Sequence, residues 1–323
     1  MAIWNLPRLR RWLFGIPPRE ITVERRGFVG GTPATRARVE QIGESFAYGY
    51  HAALESPAMD VLQPRLEAME TERRGFAYEG AAMGLALLDY LIPGRRGGRI
   101  AAFLAGPGDA HAYMVHVGIG WALARLPRRL EVNLRHLDPL LRWLVLDGYG
   151  FHQGYFHWPR YVTAMARPRN LSDDGLEVFD QGLGRSLWFV DCADPVRIAE
   201  AIGRFERARR GDLWSGLGLA ATYAGGVEQG VLEDLHARAV PYRAELAQGA
   251  AFAAKARERA GNPAPHTELA CKLFCGETAV VAAKVTDDVL QGLPAGNGGG
   301  NLPAYEIWRQ NIQRHFEGTP QRP

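Results

Sequence analysis

Residues 147–150 read DGYG, residues 181–184 read QGLG and residues 215–218 read SGLG. The first glycines of these stretches are 34 residues apart, and Gly249 continues the series after 33 more. Each stretch lies in an apolar helical pattern, where a glycine costs about 1 kcal/mol relative to alanine. Close approach of a neighbouring backbone would offset that cost. A fixed period in this range indicates stacked supersecondary units.

Each unit is predicted to contain two helices. Residues 137–148 carry apolar side chains along one helical face, with Asp138 as N-cap and Pro139 at the first helical position. Residues 194–207 and 227–235 show a second, amphipathic helix after the glycine-bearing one. The sequence therefore predicts an all-α fold of stacked helix pairs, an α-solenoid of tetratricopeptide-like repeats of about 34 residues. The full tetratricopeptide consensus is absent.

Changes in composition divide the chain into four parts. Residues 1–22 form a basic amphipathic segment, 23–291 the repeat domain, 292–303 a glycine-rich linker and 304–323 a C-terminal docking helix. The first segment lacks the apolar core of a signal peptide. Its helix is expected either to cap the fold or to lie on a membrane or a partner.

Composition excludes several classes of protein. With 47% apolar and 23% charged residues, the chain has the balance of a folded protein rather than a disordered one. A net charge of +3 without a lysine or arginine stripe argues against nucleic-acid binding. No apolar run approaches the roughly 18 residues of a membrane span. Three cysteines, Cys192, Cys271 and Cys275, favour a reducing compartment, and so the cytoplasm.

Acidic residues recur just before the repeat glycines, at Glu79, Asp147 and Asp180. In a stacked array, equivalent positions line one surface. We expect these carboxylates, with Arg185 nearby, to face a groove and to bind a cation, polarise a substrate or exchange protons. The alternative is buried capping of adjacent helices.

Histidines and aromatic residues surround the same glycines. His152 and His157 are five residues apart, so a regular helix cannot direct both at one metal ion. His116 could meet one of them across neighbouring units; the alternative is that these histidines are satisfied core residues. A substrate pocket is predicted from a nearby group that comprises Trp121, Tyr149, Phe156, His157 and Trp188.

Two other motifs carry less weight. Residues 216–221 imitate a dinucleotide-binding loop, but they lie inside a helical pattern that repeats, which favours helix packing. Cys271 and Cys275 stand four apart with His266 upstream, a spacing unlike most zinc sites, so they are interpreted as core residues.

Five stretches carry a resemblance to a known family: Arg74–Asp89, Tyr113–Leu126, Leu137–His157, Phe179–Phe189 and Trp308–Gln313. They resemble the UnbL-type domain-of-unknown-function family, found in enediyne gene clusters beside the iterative polyketide synthase and its thioesterase. The resemblance implies a bacterial cytoplasmic protein that helps to convert a linear polyene into the enediyne core. No established catalytic residues come with it.

Two functions are therefore expected from different classes. In the first, an enzyme binds the polyene or polyketide and takes part in its oxidation or cyclisation, with an unknown cofactor for which iron is one candidate. Its catalytic residues would come from the set Glu79, His116, Asp147, His152, Asp180 and Arg185. In the second, a non-catalytic scaffold shields the polyene and holds other enediyne cluster proteins together.

Overall fold

A computed structural model describes residues 7–91, 98–126, 130–293 and 302–317. Within these ranges the chain is all-helical, as the periodicity predicts. The α-helices in chain order are α1 (Pro7–Phe14), α2 (Val23–Arg26), α3 (Pro33–Glu55), α4 (Met59–Glu67), α5 (Thr71–Leu91), α6 (Gly98–Leu104), α7 (Ala112–Ala124), α8 (Leu144–Phe156), α9 (Asp173–Val190), α10 (Pro195–Arg204), α11 (Arg207–Ala224), α12 (Gln229–Arg238), α13 (Arg243–Arg259), α14 (Pro265–Phe274), α15 (Ala279–Gln291) and α16 (Ala304–Glu317). No helix in the described ranges is long and apolar enough to cross a membrane.

Seven long helices form an inner layer in which each packs on the next: α3, α5, α7, α8, α9, α11 and α13. Shorter helices connect most of them, and α10, α12 and α14 contact one another in an outer layer. This arrangement confirms the predicted stack of helix pairs. Two units depart from it, because only short helical turns, such as the π-helical turn Pro159–Thr163, connect α7 to α8 and α8 to α9.

The repeat glycines are the points of closest contact between inner helices. Gly182 on α9 lies against the carbonyl oxygen of Asp147 on α8, and Gly184 lies against that of Leu213 on α11. A β-carbon at either glycine would overlap that oxygen. The same pairing recurs at Gly148, Gly150, Gly216, Gly218 and Gly249. The prediction that these glycines bring helices together is confirmed.

A further copy of the motif lies on α3, where the sequence search did not find it. Gly49 packs on the carbonyl of Ala77, and Gly80 packs on that of Phe46. The first small residue of this copy is Ala47 rather than glycine, so a search for glycine pairs misses it.

The inner layer curls until its early helices meet its late ones. Arg38 on α3 donates to the carbonyl of Ala224 on α11 (Nε to O, 3.0 Å), and Phe76 on α5 meets Tyr223 edge to face with ring centroids 5.2 Å apart. The faces that the sequence analysis assigned to an open groove are therefore turned into an enclosed interior. The spacing of repeats in the sequence does not specify how strongly the helical array curves. The contact between its early and late helices was therefore not predicted.

Both ends of the described chain pack on this array. Helix α1 is tied to α3 because Arg10 donates to the carbonyl of Glu55 (3.0 Å). Helix α16 buries Trp308, whose Nε1 donates to the carbonyl of Thr286 (2.8 Å). Residues 304–317 of the predicted C-terminal segment form this helix, while most of the predicted glycine-rich linker lies outside the described residues.

The start of α8 differs from the prediction. The α-helix begins at Leu144, and residues 141–143 form a 3₁₀ turn before it. Asp138 caps this turn as expected, since its Oδ1 accepts from the backbone N–H groups of Leu140 (2.9 Å) and Leu141 (2.8 Å).

Candidate functional site

Glu79 is a carboxylate buried in the interior of the helical array. It directly precedes Gly80 on α5 and is 1% exposed. Neither of its oxygens has a hydrogen-bond partner. The repeat explains its direction, because the residue before the first repeat glycine turns towards the interior at each helix crossing. A buried polar group without a partner is costly, which makes Glu79 a candidate for a functional role.

Glu79 lines an apolar cavity whose free space, counted together with the open solvent at its mouth, is about 490 Å³. Helices α3, α5, α7, α8 and α9 supply the walls, and residues 16–21 form part of one side. The Trp121 ring lies 4.6 Å from that of Phe46 and 4.9 Å from that of Phe151, measured between centroids. The other aromatic side chains are Phe76, Tyr155, Phe156 and Phe189. The lining of the cavity is therefore aromatic and almost wholly apolar.

Its surroundings set the protonation of Glu79. Burial raises the pKa of Glu79 to about 7, and the Asp147 charge adds to this effect. The Arg185 charge opposes it, and so does the Trp121 N–H, a nearby donor that does not complete a hydrogen bond with Glu79. A carboxyl group with a pKa near 7 exists in both forms near neutral pH, and can therefore donate or accept a proton.

Asp147 and Arg185 form a buried ion pair close to Glu79. The second oxygen of Asp147 accepts a hydrogen bond from Nε2 of Gln181 (2.7 Å), and the same amide nitrogen lies 3.1 Å from the hydroxyl of Tyr305. Neither member of the ion pair lines the large cavity. Asp147 and Arg185 therefore influence the cavity only through their electrostatic effect on Glu79.

A wider and more open vestibule adjoins the cavity and shares Ile16, Glu20 and Phe156 with it. His152 and His157 line this vestibule, with ring centroids 6.1 Å apart. Burial, together with the charges of His157 and Arg125, lowers the pKa of His152 to about 3. His152 is therefore neutral at physiological pH and is not poised to act as a general base near pH 7.

Two of the predicted catalytic residues, His116 and Asp180, lie elsewhere. His116 is buried on α7 with its Nδ1 hydrogen-bonded to the carbonyl of Ala112 (2.7 Å). Asp180 pairs with Arg209 through two bonds of 2.6 and 2.7 Å. It precedes Gly182 by two positions, not one, so the helix turns it about 100° away from the positions of Glu79 and Asp147. Neither residue lines the cavity or its vestibule.

The predicted aromatic pocket is brought together in part. Trp121 and Phe156 line the cavity, and Phe156 and His157 line the vestibule. Tyr149 instead packs on Phe179, at 5.7 Å between centroids, and Trp188 is buried within the core outside both spaces.

Several lining residues escaped the sequence analysis. Phe151 and Phe189 lie on helices already marked by glycines, three to seven residues beyond them, so their spacing was a usable signal. Ile16 and Arg125 had no such sequence signal. Ile16 belongs to the N-terminal segment, and Arg125 directly follows α7.

Among the residues that the structure describes, no three or more His, Cys, Asp or Glu side chains lie close enough together to hold a metal ion. Cys271 and Cys275 are buried against α13, with Sγ of Cys275 3.4 Å from the carbonyl oxygen of Ala247. They pack as core residues.

No curated protein and no solved structure matches the chain. One sequence family, described as proteins of unknown function and designated DUF1702, matches residues 5–316, nearly the whole chain. The described helices of the array and its cavity therefore lie within the extent of one family domain. The protein belongs to the DUF1702 family.

Proposed function

We propose that this protein binds an elongated, apolar, conjugated molecule in the aromatic cavity and that Glu79 exchanges protons with it. The observation that carries the proposal is the Glu79 carboxyl group, which lines the cavity without a hydrogen-bond partner and has a pKa raised by burial to about 7. A carboxylate kept only for stability would be paired.

The cavity supports the choice of ligand. Its lining resembles that of small-molecule sites, which are mostly apolar with few polar groups. Aromatic faces such as those of Trp121 and Phe46 stack favourably on a flat π-system. The resemblance to the enediyne-associated family names a candidate of this kind, the linear polyene that the neighbouring polyketide synthase provides.

Proton transfer alone can rearrange such a chain. The protonated carboxyl group of Glu79 adds its proton to a terminal carbon of a double bond, and the electron pair of that bond forms the new C–H bond. The resulting cation closes a ring or shifts its double bonds. The Glu79 carboxylate then removes a proton from another carbon, which restores a double bond and the acid. The product is an isomer of the substrate, so the step consumes no oxidant.

The test is incubation of the purified protein with linear conjugated polyene, followed by absorbance. Cyclisation interrupts conjugation and shifts the absorption bands to shorter wavelength. Glu79→Gln should bind the polyene and leave its spectrum unchanged, because an amide does not exchange protons in this range. Glu44→Gln, at an exposed carboxylate on α3, should behave like the wild type.

Three outcomes separate the alternatives. Conversion by the wild type but not by Glu79→Gln supports the proposal. Binding without conversion by the wild type, alone and with cluster proteins, would favour the polyene-carrier function and reject catalysis. Absence of binding would reject both.

A further inference from the structure

We propose that the vestibule binds the anionic end of the ligand, so that the molecule taken up is an amphipathic chain with a carboxylate or phosphate group at one end. This inference rests on the proposed function of the aromatic cavity and adds a head-group site outside it. Three features of the vestibule carry it.

The first feature is Arg125, a cation at the vestibule wall. Its Nη1 donates to the carbonyl of Phe14 (3.2 Å) and to the hydroxyl of Tyr50 (3.0 Å), both uncharged. In the described part of the chain, no carboxylate lies within ion-pair distance of this guanidinium. An arginine held in place by neutral acceptors keeps donors available for an anion, and its planar fork suits carboxylate and phosphate.

The second feature is the charge balance around Arg125. The vestibule contains one carboxylate, Glu20, which is already bonded to Arg25 (3.1 Å) and paired with Arg26. Although burial alone raises the pKa of Glu20, its hydrogen bond from Arg25 and the charge of Arg26 bring it below the usual value. Glu20 is thus neutralised by its own partners, and Arg125 is left as net positive charge.

The lowered pKa values of His152 and His157 are consistent with a positive electrostatic potential in the vestibule. Burial and the charges of Arg26 and Arg160 lower the pKa of His157. The charge of Arg125 likewise contributes to the lowered pKa of His152. Both rings are therefore neutral near pH 7 and can donate an N–H or accept one without adding charge.

The third feature is the continuity of the two spaces. Phe156 lines both, and the Arg26 guanidinium lies over its ring, 5.1 Å from the centroid. A chain that stacks on Phe156 in the cavity would place its end beside Arg26 and Arg125. The polar and apolar parts of one ligand thus match neighbouring parts of one site.

The experiment compares trans-parinaric acid, a fluorescent conjugated tetraene fatty acid, with its methyl ester. Both are titrated into the full-length protein at a pH where the acid is ionised. The acid should bind more tightly than the ester by about tenfold or more, the effect of a hydrogen bond to a charged group. Arg125→Gln should abolish this preference while the ester still binds, and Arg125→Lys should retain part of it.

Controls assign the effect to the vestibule. Arg238→Gln, at an exposed arginine on α12, should keep the full preference for the acid. Dodecanoate and dodecyl phosphate are compared with dodecanol as competitors, so that carboxylate and phosphate recognition are distinguished. Stronger competition by either anion supports the proposal.

Equal affinity of acid and ester in the wild type, or equal competition by all three dodecyl compounds, would overturn the head-group site and leave the cavity intact. Failure of both parinaric compounds to bind would instead reject the proposed function itself.

Discussion

Arg185 on α9 donates a hydrogen bond to Asp147 on α8 at the centre of the molecule, and their side chains are only 4% and 0% exposed. Both residues occupy positions that the glycine repeat defines, and both charges act on Glu79 across the interior. The helix contacts that build the fold therefore also set the chemistry of the candidate site.

The ion pair should be important for stability. In Asp147→Asn the buried Arg185 charge loses its hydrogen-bonded counterion, so we expect the free energy of unfolding to fall by about 3 kcal/mol or more in urea titrations. Asp234→Asn removes a partly exposed carboxylate that pairs with Arg238 on α12 and should cost at most about 0.5 kcal/mol. Similar small losses in both variants would contradict the assigned role of the pair.

Titration of Glu79 should appear in the pH dependence of stability. Its pKa is about 7 in the folded protein and 4.5 ordinarily. Below 4.5 both states carry the proton, so burial costs nothing extra. As pH rises to about 7, the unfolded chain releases its proton first, and folding loses roughly 3 kcal/mol in total.

Glu79→Gln cannot titrate and isolates this effect from other groups. Between pH 4.5 and about 7, the unfolding free energy of Glu79→Gln should rise relative to that of the wild type. Above pH 7 the difference between the two proteins should stay constant. A constant difference between the two proteins across that range would show that Glu79 does not titrate there.

Close helix contacts predict opposite effects of alanine at two glycines. Gly182→Ala would drive a β-carbon into the carbonyl oxygen of Asp147 and should cost at least about 2 kcal/mol. Gly203, on α10, has no atom within 4 Å of the corresponding position. Gly203→Ala should therefore be neutral or stabilise by up to about 1 kcal/mol. Thermal unfolding measures both, and equal effects would refute the backbone contact.

Docking of α16 can be tested at its largest side chain. Trp308 is 1% exposed and its ring lies 4.5 Å from that of Phe252, so Trp308→Ala should lower the unfolding free energy by about 3–5 kcal/mol. Trp12 on α1 is 79% exposed, and Trp12→Ala should change stability by less than about 0.5 kcal/mol. Calorimetry of both variants measures these changes. A small loss of unfolding free energy in Trp308→Ala would mean that α16 is not part of the core.

Sequence periodicity was sufficient for the architecture but not for the site. The glycines at 148, 182 and 216 predicted both the helix class and the close packing, because a helical glycine needs a neighbouring backbone to justify it. Glu79 and Asp147 were found by their place beside that motif. Asp180 was wrongly grouped with them. It stands two residues before its glycine instead of one, and one residue along a helix corresponds to a rotation of about 100°.

The cavity itself depends on contacts between distant parts of the chain. Ile16 reaches Phe46 and Trp121 only because the array curls and the N-terminal segment closes over it. Neither curvature nor the position of a terminal segment leaves a periodic signal, so Arg125 and the vestibule could be found only in three dimensions.

Solvent deuterium tests the proton-transfer role of Glu79 most directly. The protein is incubated with linear conjugated polyene in D₂O, where the Glu79 carboxyl group exchanges its proton for a deuteron, and the recovered hydrocarbon is analysed by mass spectrometry. The wild type should introduce deuterium at carbon and Glu79→Gln should not, although it still binds the polyene. Equal deuterium incorporation by the two proteins, or none by the wild type, would contradict the assignment of Glu79 as the proton donor and acceptor.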